Sequence, residues 1–336
     1  MGRLYNVAIA GATGAVGAEM IRTLAERNFP VGKIRLLASA RSAGKRLRVG
    51  GEDVPVEELT AGSFKGVEIA LFSAGAARSL EFAPAAVKAG AVVVDNSSAF
   101  RMDPGVPLVV PEVNPEKIGE HKGIIANPNC STTIMVVPLW PLHKAARIVR
   151  IVVATYQAAS GAGAGAMAEL RSQIREIGEG RKASVSVLPQ QIAYNIFPHV
   201  DVFMPNGYTK EEMKMVHETR KIFRDDSIRV TATCVRVPVL RAHSEAVNIE
   251  TERKLSADEA RLILAKAPGV QVVDEPERKR YPMPLQASGR GDILVGRIRE
   301  DISQPRGLDI FIAGDQLMKG AALNAVQIAE LVIGKK

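Results

Sequence analysis

The sequence predicts an α/β chain in two parts, a doubly wound parallel sheet and then a second domain of α+β type, and three observations predict it. Short apolar, β-rich runs alternate with helical segments over the first third of the chain. A glycine-rich turn joins the first strand to the first helix. Beyond Cys130 the strands lengthen and fewer helices separate them. With 336 residues, 46% hydrophobic and 24% charged, the chain is long enough for two cores.

Residues 4–10, LYNVAIA, form the first strand, GATGAVG makes the turn, and AEMIRTLAER continues with helical spacing. Further strands follow in IRLLAS, VEIALFSAG and GAVVVDNSSAF, with the helical AARSLEFAPAAVKAG before the last. After Cys130, STTIMVVPLW opens an apolar helix that Pro138 should kink. ARIVRIVVATYQ is a long strand, and GAMAELRSQIREIGEG is an amphipathic helix with Met167, Leu170, Ile174 and Ile177 on one side. IRVTATCVRVPVL and SEAVNIETE are strands. The closing GDQLMKGAALNAVQIAELVIG has helical spacing at Leu317, Ala321, Val326, Ala329 and Val332, which does not say which domain it joins.

The formal charge of +8 does not point to nucleic acid. Basic and acidic residues are interleaved, and only 4% of residues are aromatic, so there is no stacking platform. An excess of cations suits small anionic ligands. The N-terminal residues run almost at once into a strand, and no long uncharged apolar stretch occurs, so neither membrane nor secretion is expected. Two cysteines are too few for a disulfide framework and fit a reducing, cytoplasmic setting.

In the turn, Gly11, Gly14 and Gly17 form a GxxGxxG pattern between strand and helix, a Rossmann-type signature for a dinucleotide. Gly11 permits the tight bend, Gly14 lets backbone N–H groups approach a pyrophosphate, and Gly17 lets helix and strand pack closely. Thr13, Ala15 and Val16 line the same turn. At the end of the second strand, LLASARSAGKRL carries no acid for a ribose hydroxyl; Ser39, Arg41 and Ser42 suit a 2′-phosphate, so NADP is expected.

Cys130 stands in ANPNCSTT, behind capping-type asparagines and at the head of an apolar helix, where a helix N-terminus favours thiolate. It fits a nucleophile, whereas Cys234, inside TATCVRV, reads as a buried structural cysteine. Of the five histidines, His243 follows a Pro-interrupted strand seven residues after Arg236. That odd spacing would put the two on opposite faces of one unbroken strand; a bend at Pro238 would bring both into one pocket.

The set GATGAVG, LLASARSAGK, DNSSAFR, VPLVVPEVN, NPNCSTT, ATYQAASGAG, EEMKMVHET, CVRVPVLRAHSE and AGDQLMKGAALNAVQIAE resembles aspartate-β-semialdehyde dehydrogenase, in that family's order and over almost the whole chain. The resemblance implies that Cys130 displaces phosphate from L-4-aspartyl phosphate to form a thioester, with His243 as acid/base and Gln157 orienting the substrate. NADPH then reduces the thioester to L-aspartate 4-semialdehyde. Arg236 would pair with the substrate α-carboxylate, Glu211 would take its ammonium, and Arg101 and Lys214 would hold phosphate. Glu212 beside Glu211 leaves that register open, and Arg241 near His243 fits either a ligand role or a structural one. Ser160, Gly161 and Gln316 would lie at the nicotinamide, and no metal is implied. By the same resemblance, residues 1–129 form the NADP-binding domain, with the C-terminal helix, 315–336, returning to it. Residues 130–314 form the catalytic and dimerisation domain of a homodimer or homotetramer. The rivals are another acyl-phosphate reductase, of N-acetylglutamyl-phosphate or glyceraldehyde-3-phosphate type, and a non-catalytic nucleotide-binding paralogue.

Overall fold

The computed structural model describes residues 3–334, which fall into two compact units that part between Asn129 and Cys130 and again between Gly320 and Ala321. Residues 315–320 therefore stay with the second unit, and only the chain beyond them joins the first.

In the first unit, β1 (Tyr5–Ala10), β2 (Val31–Ala38), β4 (Glu52–Glu58), β5 (Ile69–Phe72), β6 (Val92–Asp95) and β7 (Ile124–Ala126) run parallel, and β3 (Arg46–Val49) pairs antiparallel at the edge. The strand order β3-β4-β2-β1-β5-β6-β7 is doubly wound about β1. The helices α1 (Ala15–Glu26) and α2 (Ala76–Lys88) supply crossovers. Gly11, at φ +93°, makes the turn after β1, and a Cβ there would stand 2.3 Å from the Ser73 carbonyl oxygen. A Cβ on Gly17 would stand 2.3 Å from the Gly11 oxygen, so α1 presses on the turn as only glycine allows.

The final helix, α8 (Leu323–Val332), belongs to this unit. Val326 and Ala329 share a core with Ile9 of β1 and Met20 and Leu24 of α1, and Glu330 pairs with Arg27 at 2.6 Å. The long C-terminal helix expected from spacing is interrupted by a π-turn, Met318–Ala322.

The second unit opens with α3 (Cys130–Ala146) and contains β8 (Ile148–Gln157), α4 (Ala164–Gly178), α5 (Lys210–Phe223), β9 (Arg229–Arg236), β10 (His243–Thr251), α6 (Ala257–Leu264), β11 (Val270–Val272), α7 (Pro284–Ala287), β12 (Ile293–Glu300) and β13 (Gly307–Gly314). Its six strands form one mixed sheet in the order β11-β12-β13-β10-β8-β9. Alternation sorts the faces: on β8, Ile151, Val153, Thr155 and Gln157 are buried, whereas Val152, Ala154 and Tyr156 are less so. The buried face packs under α3, whose Ile134 fills the space beside Gly314.

The helix α3 continues through both Pro138 and Pro141, with its residues Ile134 to Leu139 wholly buried so that packing offsets the lost backbone bonds. One expectation of the second unit fails for a physical reason. On α4, Ile174 is 44% exposed while Glu169, Gln173 and Glu176 are buried. The loop after α4 has little ladder of its own, and these side chains satisfy its N–H groups. Gln173 Oε1 accepts from Ile192 and Ala193 at 3.0 Å, and Glu176 Oε2 accepts from Ser184 at 2.7 Å.

Candidate active site

Three strand ends place the polar side chains of the second unit. Gln157 ends β8, Arg236 ends β9 and His243 begins β10; the register aligns Gln157 with Arg236, and the pairing of Ser244 with Tyr156 sets His243 beside Gln157. The row behind carries Cys234, Thr155 and Glu245, on the same buried face because strand side chains alternate. Arg236 and His243 therefore need no bend within a single strand, since each has its own. The connection between them includes Ala242 at φ +73°.

Both side chains close over Gly161. A Cβ on that glycine would lie 2.9 Å from His243 Cε1, 3.0 Å from its Nε2 and 3.1 Å from Arg236 Nη1. The backbone of one residue grips the pair: the Ala158 N–H donates to His243 Nδ1 at 3.0 Å, and Arg236 Nη1 donates to the Ala158 carbonyl at 2.7 Å. His243 Nε2 and Arg236 Nε are buried with no partner. Burial, and then the charge of Arg236, hold the His243 imidazolium well below its usual range. Burial also lowers Arg236, against the attraction of Cys130 and Glu211.

Cys130 is the first residue of α3 and is half-buried. The helix N-terminus and the Arg236 guanidinium both favour its thiolate. A Cβ on Gly320 would stand 2.9 Å from Cys130 Cβ, so no larger residue fits behind the thiol. Cys234 is fully buried, and desolvation pushes its thiol far above the usual range, which leaves it inert.

Gln157 Nε2 donates to Ser131 Oγ at 2.6 Å and to Glu211 Oε1 at 3.2 Å. The two glutamates that open α5 differ in use. Glu212 closes a capping box, accepting from the Thr209 N–H at 2.6 Å, and also accepts from the Cys234 N–H at 2.9 Å. Glu211 instead turns toward Gln157 and pairs with Lys214 at 2.9 Å. Lys214 also meets Asp201 at 2.7 Å. Burial alone would lower the Lys214 ammonium, but the two carboxylates outweigh it and raise its affinity for the proton.

Gln316 donates to Ser160 Oγ and accepts from the Ala242 N–H at 2.9 Å, tying the turn at Ser160 to the segment before His243. Arg241 donates to buried Asp315 at 2.6 Å.

In the first unit, a cavity of about 640 Å³ is lined by Gly11, Thr13, Gly14, Ser39 and Arg41, among others. Backbone around the glycines and a cation at the far side suit a dinucleotide phosphate. Ala15, Val16, Gly17 and Ser42 lie outside the lining: Ala15 already begins α1, Gly17 is pressed on Gly11, and Ser42 is buried. Arg101, also in this unit and only 7% exposed, donates to the backbone carbonyls of Asn127 at 2.9 Å and Asn96 at 2.7 Å.

Sequence reasoning missed several of these residues. Ser131 adjoined the thiol in the motif itself, and the spacing of Thr209 and Glu212 announced the capping box. Glu58 and Arg78 join the cavity wall only because β4 pairs with β2 and α2 folds beside β5. Asp201 and the Ala158 peptide had no sequence signal, since backbone grips and loop partners are set by the fold. Among the described residues, no helix is long and apolar enough to cross a membrane.

Comparison with known proteins accounts for nearly the whole chain. The family description "Semialdehyde dehydrogenase, NAD binding domain" matches residues 6–121, and "Semialdehyde dehydrogenase, dimerisation domain" matches residues 139–319. The chain is 57% identical over 328 residues to aspartate-semialdehyde dehydrogenase of Synechocystis sp., covering 98% of this chain and 97% of the relative. It is similar to a crystal structure of aspartate semialdehyde dehydrogenase II complexed with ASA from Vibrio cholerae, at TM-score 0.97 and 48% identity, over 99% of both chains. An aspartate semialdehyde dehydrogenase with NADP from Candida albicans aligns at TM-score 0.78 and 27% identity, again over 99% of both.

Proposed function

The chain belongs to the aspartate-semialdehyde dehydrogenase family, and on that footing we propose that it converts L-4-aspartyl phosphate to L-aspartate 4-semialdehyde and phosphate. Bound NADPH supplies the hydride that reduces a thioester on Cys130. Cys130 is the nucleophile, with Gln157 and His243 beside it in the row of strand ends. Arg236 binds the substrate α-carboxylate and Glu211 its ammonium. Lys214 shares its charge between Glu211 and Asp201, so it orients Glu211 and has less left for phosphate than the resemblance suggested; Arg101 serves the phosphate. Gly11, Thr13, Gly14, Ser39 and Arg41 hold the dinucleotide, and Ser160, Gly161 and Gln316 serve its nicotinamide end. NADP use is supported by the lack of an acid after β2 and by the NADP complex of the Candida relative.

The observation that carries this reading is Arg236, 5% exposed, acting on Cys130 and Glu211, and hydrogen-bonded to a carbonyl oxygen with no carboxylate of its own. A buried guanidinium in that position fits a substrate carboxylate as its missing partner. We further place the protein in the cytoplasm as a homodimer or homotetramer, feeding the shared route to lysine, threonine and methionine, and to diaminopimelate. The dimerisation-domain match and the open sheet face bearing Tyr156 and Phe311 support self-association.

The test is phosphate-dependent reduction of NADP with a panel of aldehydes, with phosphate omitted as control. L-aspartate 4-semialdehyde should be preferred over N-acetylglutamate semialdehyde and glyceraldehyde 3-phosphate. Preference for an aldehyde without a free α-amino group would overturn the assignment, and no turnover with any would favour a non-catalytic paralogue.

A further inference from the structure

Residues 201–209, DVFMPNGYT, make a tight loop that ends where α5 begins. The Met204 N–H donates to the Tyr208 carbonyl at 2.8 Å and the Lys210 N–H to the Val202 carbonyl at 2.8 Å, so the loop closes as a hairpin on the helix N-terminus. The Tyr208 hydroxyl lies 2.9 Å from Thr231 Oγ1, which ties the loop to β9. At its head Asp201 is held at φ +67°, a left-handed conformation that aspartate tolerates better than most residues. Strain of that kind persists where contacts determine it, and here both carboxylate oxygens are engaged. Oδ1 accepts from the Val202 N–H at 2.8 Å, and Oδ2 accepts from Lys214 Nζ at 2.7 Å.

Lys214 lies one turn along α5 from Glu211 and so reaches both carboxylates. Side-chain exposure falls from 30% at Asp201 through 18% at Lys214 to 8% at Glu211, and the charges therefore run inward, toward the Gln157 amide that donates to Glu211. Burial would raise the Asp201 carboxyl, but Lys214 and the Val202 N–H outweigh it and hold the group below its ordinary value, as an anion. Two carboxylates and one ammonium leave this cluster with one negative charge in excess. Arg236, bonded to a carbonyl oxygen, leaves one positive charge in excess on the other side of the site. The ammonium and carboxylate of an α-amino acid match that division. With Asp201 uncharged, Lys214 would neutralise Glu211, and an incoming ammonium would meet no net charge.

We propose that Asp201 sets the preference for a substrate with a free α-ammonium: it shares Lys214 with Glu211, which leaves Glu211 in net negative surroundings, and it anchors Lys214 when Glu211 turns to the substrate. The proposal rests on the function proposed above and deepens it. Because both oxygens of Asp201 are already engaged, it acts through Lys214 as a positioning residue, without touching the substrate.

The test is phosphate-dependent reduction of NADP by the full-length protein with two aldehydes that differ only at the α-carbon, L-aspartate 4-semialdehyde and succinate semialdehyde. Asp201→Asn removes the charge and keeps the turn, since asparagine tolerates a left-handed conformation and its carbonyl oxygen can still accept from Val202. KM for the amino aldehyde should rise about tenfold, the scale of a unit charge acting at one remove in a partly buried site, while kcat stays within about twofold. For succinate semialdehyde kcat/KM should change by less than about twofold, so the preference narrows about tenfold. An unchanged preference, or an equal loss with both aldehydes, would overturn the proposal. The second check is made in Lys214→Gln, where adding Asp201→Asn should leave the preference as Lys214→Gln alone sets it; a further loss of about tenfold would mean that Asp201 does not act through Lys214. A parent protein with no preference for the amino aldehyde would sink the proposed function as well, whereas a preference kept intact by Asp201→Asn would leave that function standing and refute the role of Asp201 alone.

Discussion

A guanidinium in a site that water barely reaches stays costly until an anion meets it, and Arg236 is in that position. Arg236→Ala should therefore weaken the reaction by about 100-fold in kcat/KM, the scale of a lost charged hydrogen bond, with most of the loss in KM for the aldehyde. Steady-state kinetics would show it, and an unchanged KM would remove Arg236 from the carboxylate site. The adjacent glutamates separate by the same reasoning. Glu211 faces Gln157 and Lys214, so Glu211→Gln should raise KM and leave the melting temperature nearly unmoved. Glu212 accepts two backbone N–H groups, so Glu212→Gln should lower stability by about 1 kcal/mol or more while sparing KM. Identical behaviour of the two variants would contradict the geometry. The residue types at these positions were legible in the sequence, and the choice between neighbours became so only through the capping box.

At the scale of elements, the strands read correctly because apolar β-rich runs must be buried, whereas their ends and the loops between them carry the chemistry and leave little pattern. The segment after α4 shows the cost of that: its N–H groups recruit Glu169, Gln173 and Glu176, and apolar spacing assigned the helix face partly wrongly. The turn at Ser160 and Gly161 is a loop of the same kind, fixed by the strand ends above it. A methyl on Gly161 would crowd His243 and Arg236 together, so Gly161→Ala should reduce kcat by about 100-fold, the penalty for displacing reacting groups by an ångström. Retention of full kcat would show that the two side chains yield freely. The loop after β2 makes a second element-level prediction. Arg41 is the cation there that suits a 2′-phosphate, so Arg41→Ala should narrow the preference for NADPH over NADH roughly tenfold, measured by cofactor titration. Equal affinities in the parent protein would remove the basis for the NADP assignment.

For the molecule as a whole, two cores were predictable from length and pattern, and the return of α8 to the first unit was not, because helical spacing names a face without naming its partner. The second core hides a further property that composition does not disclose, a carboxyl in the row behind the strand ends. Burial holds Glu245 protonated, with its affinity for the proton well above the ordinary carboxyl range. An unfolded chain loses that proton above about pH 4.3, while the folded chain keeps it. Unfolding therefore releases a proton from there up to the raised folded value, and stability falls by about 1.4 kcal/mol per pH unit across that window. The contribution is fully present below the unfolded value and is lost as pH rises. His243 has the reverse sign, because its lowered affinity costs stability only as pH drops below about 6.5, but it is unchanged by a substitution at Glu245. Glu245→Gln keeps the size of the side chain and removes its titration. A buried amide brings its own constant cost, so the diagnostic quantity is the slope: the melting temperature of the variant minus that of the parent should grow as pH rises from about 4.3, the ordinary carboxyl value, toward the raised folded one. Parallel melting profiles over that range would mean that the carboxylate is solvated in the folded protein, and that the row behind the strand ends is open to water.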